Sequence, residues 1–185
     1  MQATMQMTQV NMAGAIAGAV PLALEQVFAE HREMVFRSAY RITGNASDAE
    51  DVLQVVFLRL LRQERAPEIA YLRAYLHRAA INAALDLLRR RKDAHSVSLE
   101  EEAGVVEAMA AGGQESSDLR DWLRQALARI NPRWAEMFVL RFVEGYSNSE
   151  IARMMDTSAA VVAVLLHRTR AQLKKDYMAV TRGRR

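Results

Sequence analysis

Tyr71, Tyr75, Arg78, Asn82 and Arg89 follow one another at intervals of four, three, four and seven residues. At 100° per residue these positions form one narrow stripe along a helix predicted over 69–92, with Asp86 at its edge and Arg90 beside it. Aromatic rings and guanidinium groups stack on unpaired bases, an amide can read a base edge, and cations hold phosphate. The chemistry offered is capture of single-stranded nucleic acid, in which binding offsets an unstacking cost of roughly a few kcal/mol per base. A solvated face carrying two half-buried tyrosines fits the same spacing. The run ArgArgArgLys at 89–92 is a general phosphate patch. Leu72, Leu76, Ala79, Ala83 and Leu87 line the other face of this helix, with Ala80 and Leu88 beside them, and predict its core side.

A second patterned helix is predicted to open at a Ser47–Glu50 capping box and to run to about Arg62. Ala49, Val52, Leu53, Val56 and Leu60 make its core stripe. The opposite face carries Asp51, Gln54, Val55, Leu58 and Leu61. Three apolar residues beside an acid and an amide, away from the core stripe, suit a protein interface. A helix buried on both sides fits as well.

The third constellation is a short helix over 148–155, a turn, and a longer helix from 159, which is helix-turn-helix spacing. Ser147 with Glu150 makes a capping box for the first, and Ser158 can cap the second. Ile151, Met154, Val162, Leu166 and Leu173 sit at core spacing, as in any three-helix bundle. The solvent face of the second helix presents Ala160, Ala163, Val164, His167, Ala171 and Lys174. Alanine and valine offer a base only apolar contact, for example with a thymine methyl. His167, Arg168, Arg170, Lys174 and Lys175 can bind phosphate.

The elements that must position these residues are helical. The 185 residues contain three Pro, eight Gly and no Cys, and 51% are hydrophobic. That composition supports packed cores and excludes disulfides and thiolate chemistry. Val27 to Ile42 is amphipathic and stops at Gly44-Asn45. Residues 63–68 read as a loop around Pro67, and Asn131-Pro132 as an N-cap followed by proline at the first helical position. Residues 93–118 hold seven acids and no Lys or Arg, whereas the rest of the chain carries 25 bases against 15 acids. A basic body interrupted by an acidic segment points to polyanion contact. A short helix is conceivable within that segment at Val105 to Ala111. The apolar stretch Met12–Leu24 is preceded by no Lys or Arg and is too short to span a bilayer, so residues 1–24 read as a flexible leader.

Three strings resemble the sigma factors of bacterial RNA polymerase, of the extracytoplasmic-function (ECF) type. TyrArgIleThrGlyAsnAlaSerAspAlaGluAspValLeuGln at 40–54 is similar to the segment that binds the polymerase clamp helices. TyrLeuHisArgAlaAlaIleAsnAlaAlaLeuAspLeuLeuArgArgArg at 75–91 is similar to the −10 recognition and melting helix. ArgPheValGluGlyTyrSerAsnSerGluIleAla at 141–152, with LeuHisArgThrArgAlaGlnLeu at 166–173, resembles the −35 helix-turn-helix. The resemblance covers about 25–93 and 118–177. It implies an all-α fold of two small helical domains on an acidic linker: leader 1–24, core-polymerase and −10 domain 25–93, linker 94–117, −35 domain 118–178 and basic tail 179–185. It further implies a linker that threads the polymerase RNA channel.

By the same resemblance, Asp48, Asp51, Gln54, Val55, Leu58 and Leu61 would bind core RNA polymerase. Tyr71, Tyr75, Arg78, Asn82, Asp86, Arg89 and Arg90 would bind the −10 DNA. Ser147, Ser158, Ala160, Ala163, Val164, His167, Arg168, Arg170 and Lys174 would face the −35 DNA. This chain departs from the family pattern with Val55 where Glu is common, Tyr75 for Trp, Ile81 for Arg, and Ala163 and Leu165 for Lys and Arg. The expected partners are core RNA polymerase and promoter DNA, with an anti-sigma factor as a further candidate. A cytoplasmic location without membrane insertion, catalysis, metal or cofactor is expected. The four His are scattered, and no glycine-rich phosphate loop or nucleophile triad stands out. A DNA-binding regulator acting without polymerase, and a sigma-like interaction protein with weak −35 reading, are the alternatives.

Overall fold

The computed structural model describes residues 10–62, 69–98 and 114–182, with side chains at 24–62, 72–94 and 118–182. Within them the chain forms α1 (Val10–Thr43), α2 (Ala46–Leu61), α3 (Ile69–Ser98), α4 (Gln114–Arg129), α5 (Pro132–Phe142), α6 (Asn148–Met154) and α7 (Ala159–Arg182), with no strand among the described residues. The first helix therefore begins well before Val27, and residues 10–24 are helical rather than a flexible leader. Likewise α3 runs six residues past Lys92, α4 starts four residues before Asp118, and α7 runs five residues past Tyr177. Polar periodicity fades at such ends, but backbone hydrogen bonding continues past the last core contact. The loop predicted around Pro67 and the helix predicted at Val105 to Ala111 lie outside the described residues.

Local chemistry sets the corners. Gly44 takes φ +71, the left-handed conformation that ends α1. The next helix is capped by Asn45, whose Oδ1 accepts from the backbone N–H of Ser47 and Asp48. This corrects the expected Ser47–Glu50 box: an acceptor two residues earlier already takes the free donors of the first turn. Asn131 caps α5 with Pro132 behind it. At α6 the reciprocal Ser147–Glu150 box forms, and Ser158 Oγ accepts from Val161 N at 3.2 Å.

Packing follows the apolar stripes. Val35, Ala39 and Ile42 of α1 meet Ala49, Val52, Val56, Phe57 and Leu60 of α2 and Leu72, Leu76, Ala80, Ala84 and Leu85 of α3 in one core. Phe28 and Phe57 lock α1 to α2 edge-to-face at 4.8 Å. The C-terminal half closes around Met137, Val139, Leu140, Ile151, Val162 and Leu166, with Trp122 edge-to-face on Tyr177 at 4.9 Å. The two halves also pack on each other, because α3 meets α4 and α5 as well as α1 and α2. Ile81 of α3 is completely buried. The departure from the family's Arg at this position thus places a core side chain there.

Candidate nucleic-acid and protein interfaces

The exposed face of α2 is as its spacing predicts. Val55, Leu58 and Leu61 stand 38%, 49% and 53% exposed, and Asp51 and Gln54 lie open beside them. Its buried face holds Ala49, Val52, Val56 and Leu60, with Leu53 half-buried. Asp48 is the exception. Its carboxylate is buried and gripped by both Nη atoms of Arg91 on α3. It ties the start of α2 to the end of α3, so Asp48 does not share the exposed face with Asp51 and Gln54. Helical spacing predicts the stripe, but the partner sits 43 residues away.

Along α3, Tyr75, Arg78, Asn82, Asp86 and Arg89 are half-buried and Arg90 is exposed. The side chain of Tyr71 lies outside the described residues. Arg89 Nη1 is 2.9 Å from Asp86 Oδ1, one turn away, so these two hold each other along the stripe. Arg78 turns toward the C-terminal half. Its Nε lies 2.6 Å from Glu136 Oε1 and its Nη1 donates to the Met154 carbonyl at 2.5 Å.

Beside it is a residue that the sequence reading passed over as one of four scattered histidines. His77 is buried, with Nε2 2.9 Å from Glu144 Oε2 and Nδ1 2.7 Å from the Tyr146 hydroxyl. Arg41 of α1 reaches the same Glu144 oxygen at 3.0 Å. Burial alone would push the Glu144 carboxyl up. The hydrogen bond and charge of His77, the Arg41 guanidinium and the Ser38 hydroxyl outweigh it and hold the group below its usual range. An ionised carboxylate only accepts, so His77 Nε2–H donates to it. Burial, with smaller contributions from nearby acids, pushes the Tyr146 phenol up and keeps its proton in place. No one-dimensional pattern could have found this cluster, since its members come from α1, α3 and the α5–α6 turn.

On α7, Ala160, Ala163, Val164, His167, Arg168, Arg170 and Lys174 are all exposed, Val164 by 50%. Val161, outside the predicted strip, adds a further exposed apolar side chain. Ser147 and Ser158 face solvent at the two caps. The Arg170 guanidinium lies 5.6 Å above the Phe142 ring. A groove of about 820 Å³ opens between α4, α5 and α7, floored by Trp122, Phe138, Phe142 and Leu166 and rimmed by Arg141 and Lys174.

An exposed apolar helix face, a helix bearing rings, cations and an amide, and a capped helix-turn-helix are together the features of a transcription initiation subunit. Residues 27–94 match the family Sigma-70 region 2, and residues 120–173 match Sigma-70, region 4. The RNA polymerase sigma factor CarQ of Myxococcus xanthus is 31% identical over 83% of this chain and 88% of its own length. The ECF RNA polymerase sigma factor SigE of Mycolicibacterium smegmatis is 32% identical over 84% of this chain, which spans 61% of that relative. Among solved structures, the sigma factor RpoE of Bartonella quintana, in complex with the anti-sigma factor NepR, is similar at TM-score 0.48 and 17% identity over 82% of this chain and 94% of that one. The chain belongs to the ECF sigma factors of RNA polymerase, the family that directs promoter-specific transcription initiation. Among the described residues, no helix is long and apolar enough to cross a membrane.

Proposed function

We propose that this sigma factor docks on core RNA polymerase through Asp51, Gln54, Val55, Leu58 and Leu61 of α2 and captures the melted −10 strand along α3. Tyr71 and Tyr75 stack on bases, Asn82 reads a base edge, and Arg78, Arg89 and Arg90 hold phosphate, with Asp86 orienting Arg89. The observation that carries the reading is the apolar face of α2. Val55, Leu58 and Leu61 are exposed beside Asp51 and Gln54 on the side that the core does not use. Exposed apolar side chains with a polar flank are what a protein partner buries. The protein works by binding energy alone in the cytoplasm, and an acidic partner such as an anti-sigma factor can compete for the same surfaces. The test is transcription by core polymerase supplemented with this protein on a promoter library. Specific initiation, lost together with core affinity in Asp51→Ala/Gln54→Ala, supports the reading; unchanged core affinity in that variant would overturn the docking face.

A second reading applies to α7 alone. Ala160, Val161, Ala163 and Val164 put apolar surface where base donors and acceptors would stand. This favours weak sequence reading at −35, with Ser147, Ser158, His167, Arg168, Arg170 and Lys174 positioning the helix on phosphates, or contact with a protein at that face.

A further inference from the structure

The first turns of α7 carry a small apolar surface that the core does not use. Val162 and Leu166 point into the core, but Val161 and Val164 stand 45% and 50% exposed, with Ala160 and Ala163 open beside them. The turn before this helix is fixed from both sides. Asp156 takes φ +49, Thr157 N donates to the Ala152 carbonyl at 2.9 Å, and Ser158 Oγ accepts from Val161 N. Such a frame sets the angle of the second helix of a helix-turn-helix, whose N-terminal residues meet base edges in the major groove. Beyond Val164 the character changes. From Ala159 to Lys175 the helix has no acid, and Arg168, Arg170, Lys174 and Lys175 follow in its second half.

We propose that Val161 and Val164 read the C5-methyl groups of thymine in duplex DNA, so that α7 selects 5-methylpyrimidines while Arg168 and Lys174 hold the flanking phosphates. The inference rests on the duplex-binding role of α7 given above and names what that helix selects. Only thymine presents a methyl group in the major groove. The donors and acceptors of the other bases would lose water against an aliphatic side chain and gain nothing in exchange. Valine suits the contact, because in a helix its χ1 has one strongly preferred rotamer and its methyls are held in place before binding. Ala160 and Ala163 add little bulk and let the backbone approach the groove floor. Helix positions three apart are neighbours at about 5–6 Å, which spans one to two base steps of about 3.4 Å, so the pair addresses neighbouring thymines. The size of the strip decides against a protein as its occupant. Two valines and two alanines fall far short of the roughly 800 Å² that each partner buries in a stable protein interface. They include no aromatic anchor, and the cations that follow them suit a polyanion.

The test selects binders to the whole 185-residue chain from a pool of random DNA duplexes. Each thymine of the enriched sequence is then replaced by deoxyuridine, which removes the methyl and keeps the base pair. Thymines should be enriched at neighbouring positions, and each methyl removed should weaken binding about fourfold, the worth of one buried methyl group. At the same positions 5-methylcytosine should bind more tightly than cytosine. Val161→Ala/Val164→Ala, both on the surface, should bind the thymine and deoxyuridine duplexes alike. An enriched sequence without thymine, or one bound equally with thymine and deoxyuridine, would overturn methyl reading and leave the duplex role of α7 standing. A pool that never enriches would remove that role as well. Loss of core-polymerase affinity in the valine variant, with thymine discrimination intact, would overturn the inference in favour of a protein at this face.

Discussion

Arg91 on α3 holds both carboxylate oxygens of Asp48, the buried acid in the first turn of α2. The two ends of the pair are unequal, with 59% of the Arg91 side chain exposed and 3% of that of Asp48. The inequality decides which deletion costs more. Asp48→Asn frees an arginine that water already reaches. Arg91→Ala leaves a buried carboxylate with only the N-terminal turn of α2 to offset its charge. Denaturant unfolding should show Arg91→Ala destabilising by about 2–3 kcal/mol and Asp48→Asn by about 1 kcal/mol. The double variant should fall near the single Asp48→Asn. Equal losses would mean that the pair is a surface ornament.

Acid should loosen the joint between the halves through Glu144. Its carboxyl is held below the usual range by His77 and Arg41, with Ser38 beside it and Tyr146 on the far side of the His77 ring. A lowered folded-state value means that the unfolded chain binds the proton first. The stabilisation is therefore complete above the ordinary carboxylate value of 4.5 and is lost as pH falls through the lower value of the folded state. Stability measured from pH 7 down to about 3 should decline in the parent, with a shallower acid limb in Glu144→Gln. Parallel limbs in the two proteins would show that Glu144 ionises alike in both states.

The sequence made legible what depends on spacing within one helix. The exposed apolar face of α2, the Ser147–Glu150 box and the core stripe of α3 through Leu72, Leu76 and Ala83 all follow from spacing along a helix. Asp48, His77, Glu136 and Glu144 were not legible in these roles, because each is defined by a partner on another helix. Ile81 shows the same limit from the apolar side. One period assigns a helix one core face, and α3 has a second where the C-terminal half packs. The helix over 10–24 was missed for a different reason: its composition of small apolar residues carries no polar face to reveal a period.

Phosphate contacts on α7 should read out as salt dependence. Arg168 and Lys174 are exposed, whereas Arg170 is drawn over Phe142. Each phosphate neutralised contributes about 0.9 to the slope of log affinity against log salt. Arg168→Ala/Lys174→Ala should therefore lower that slope by about 1.8 on duplex DNA and weaken all sequences alike. Arg170→Ala should lower it by less than either, since a guanidinium shared with a ring holds phosphate less fully. A selective loss on one sequence would instead make Arg168 or Lys174 a base reader.

Asn82 tests the proposed −10 role of α3 most directly. It lies on α3 one turn beyond Arg78, half-buried, with an amide that can both donate and accept. A base edge becomes available to it only once the strand is unpaired, so its contribution belongs to the open complex and not to the closed one. Asn82→Ala should reduce open-complex formation by about 1–3 kcal/mol, the range of a good polar base contact, while closed-complex affinity on duplex promoter DNA stays within about twofold. Permanganate footprinting of unpaired thymines measures the first, and filter binding at low temperature the second. A common loss in both would place Asn82 on the phosphate backbone, and no loss in either would remove it from the DNA face of α3.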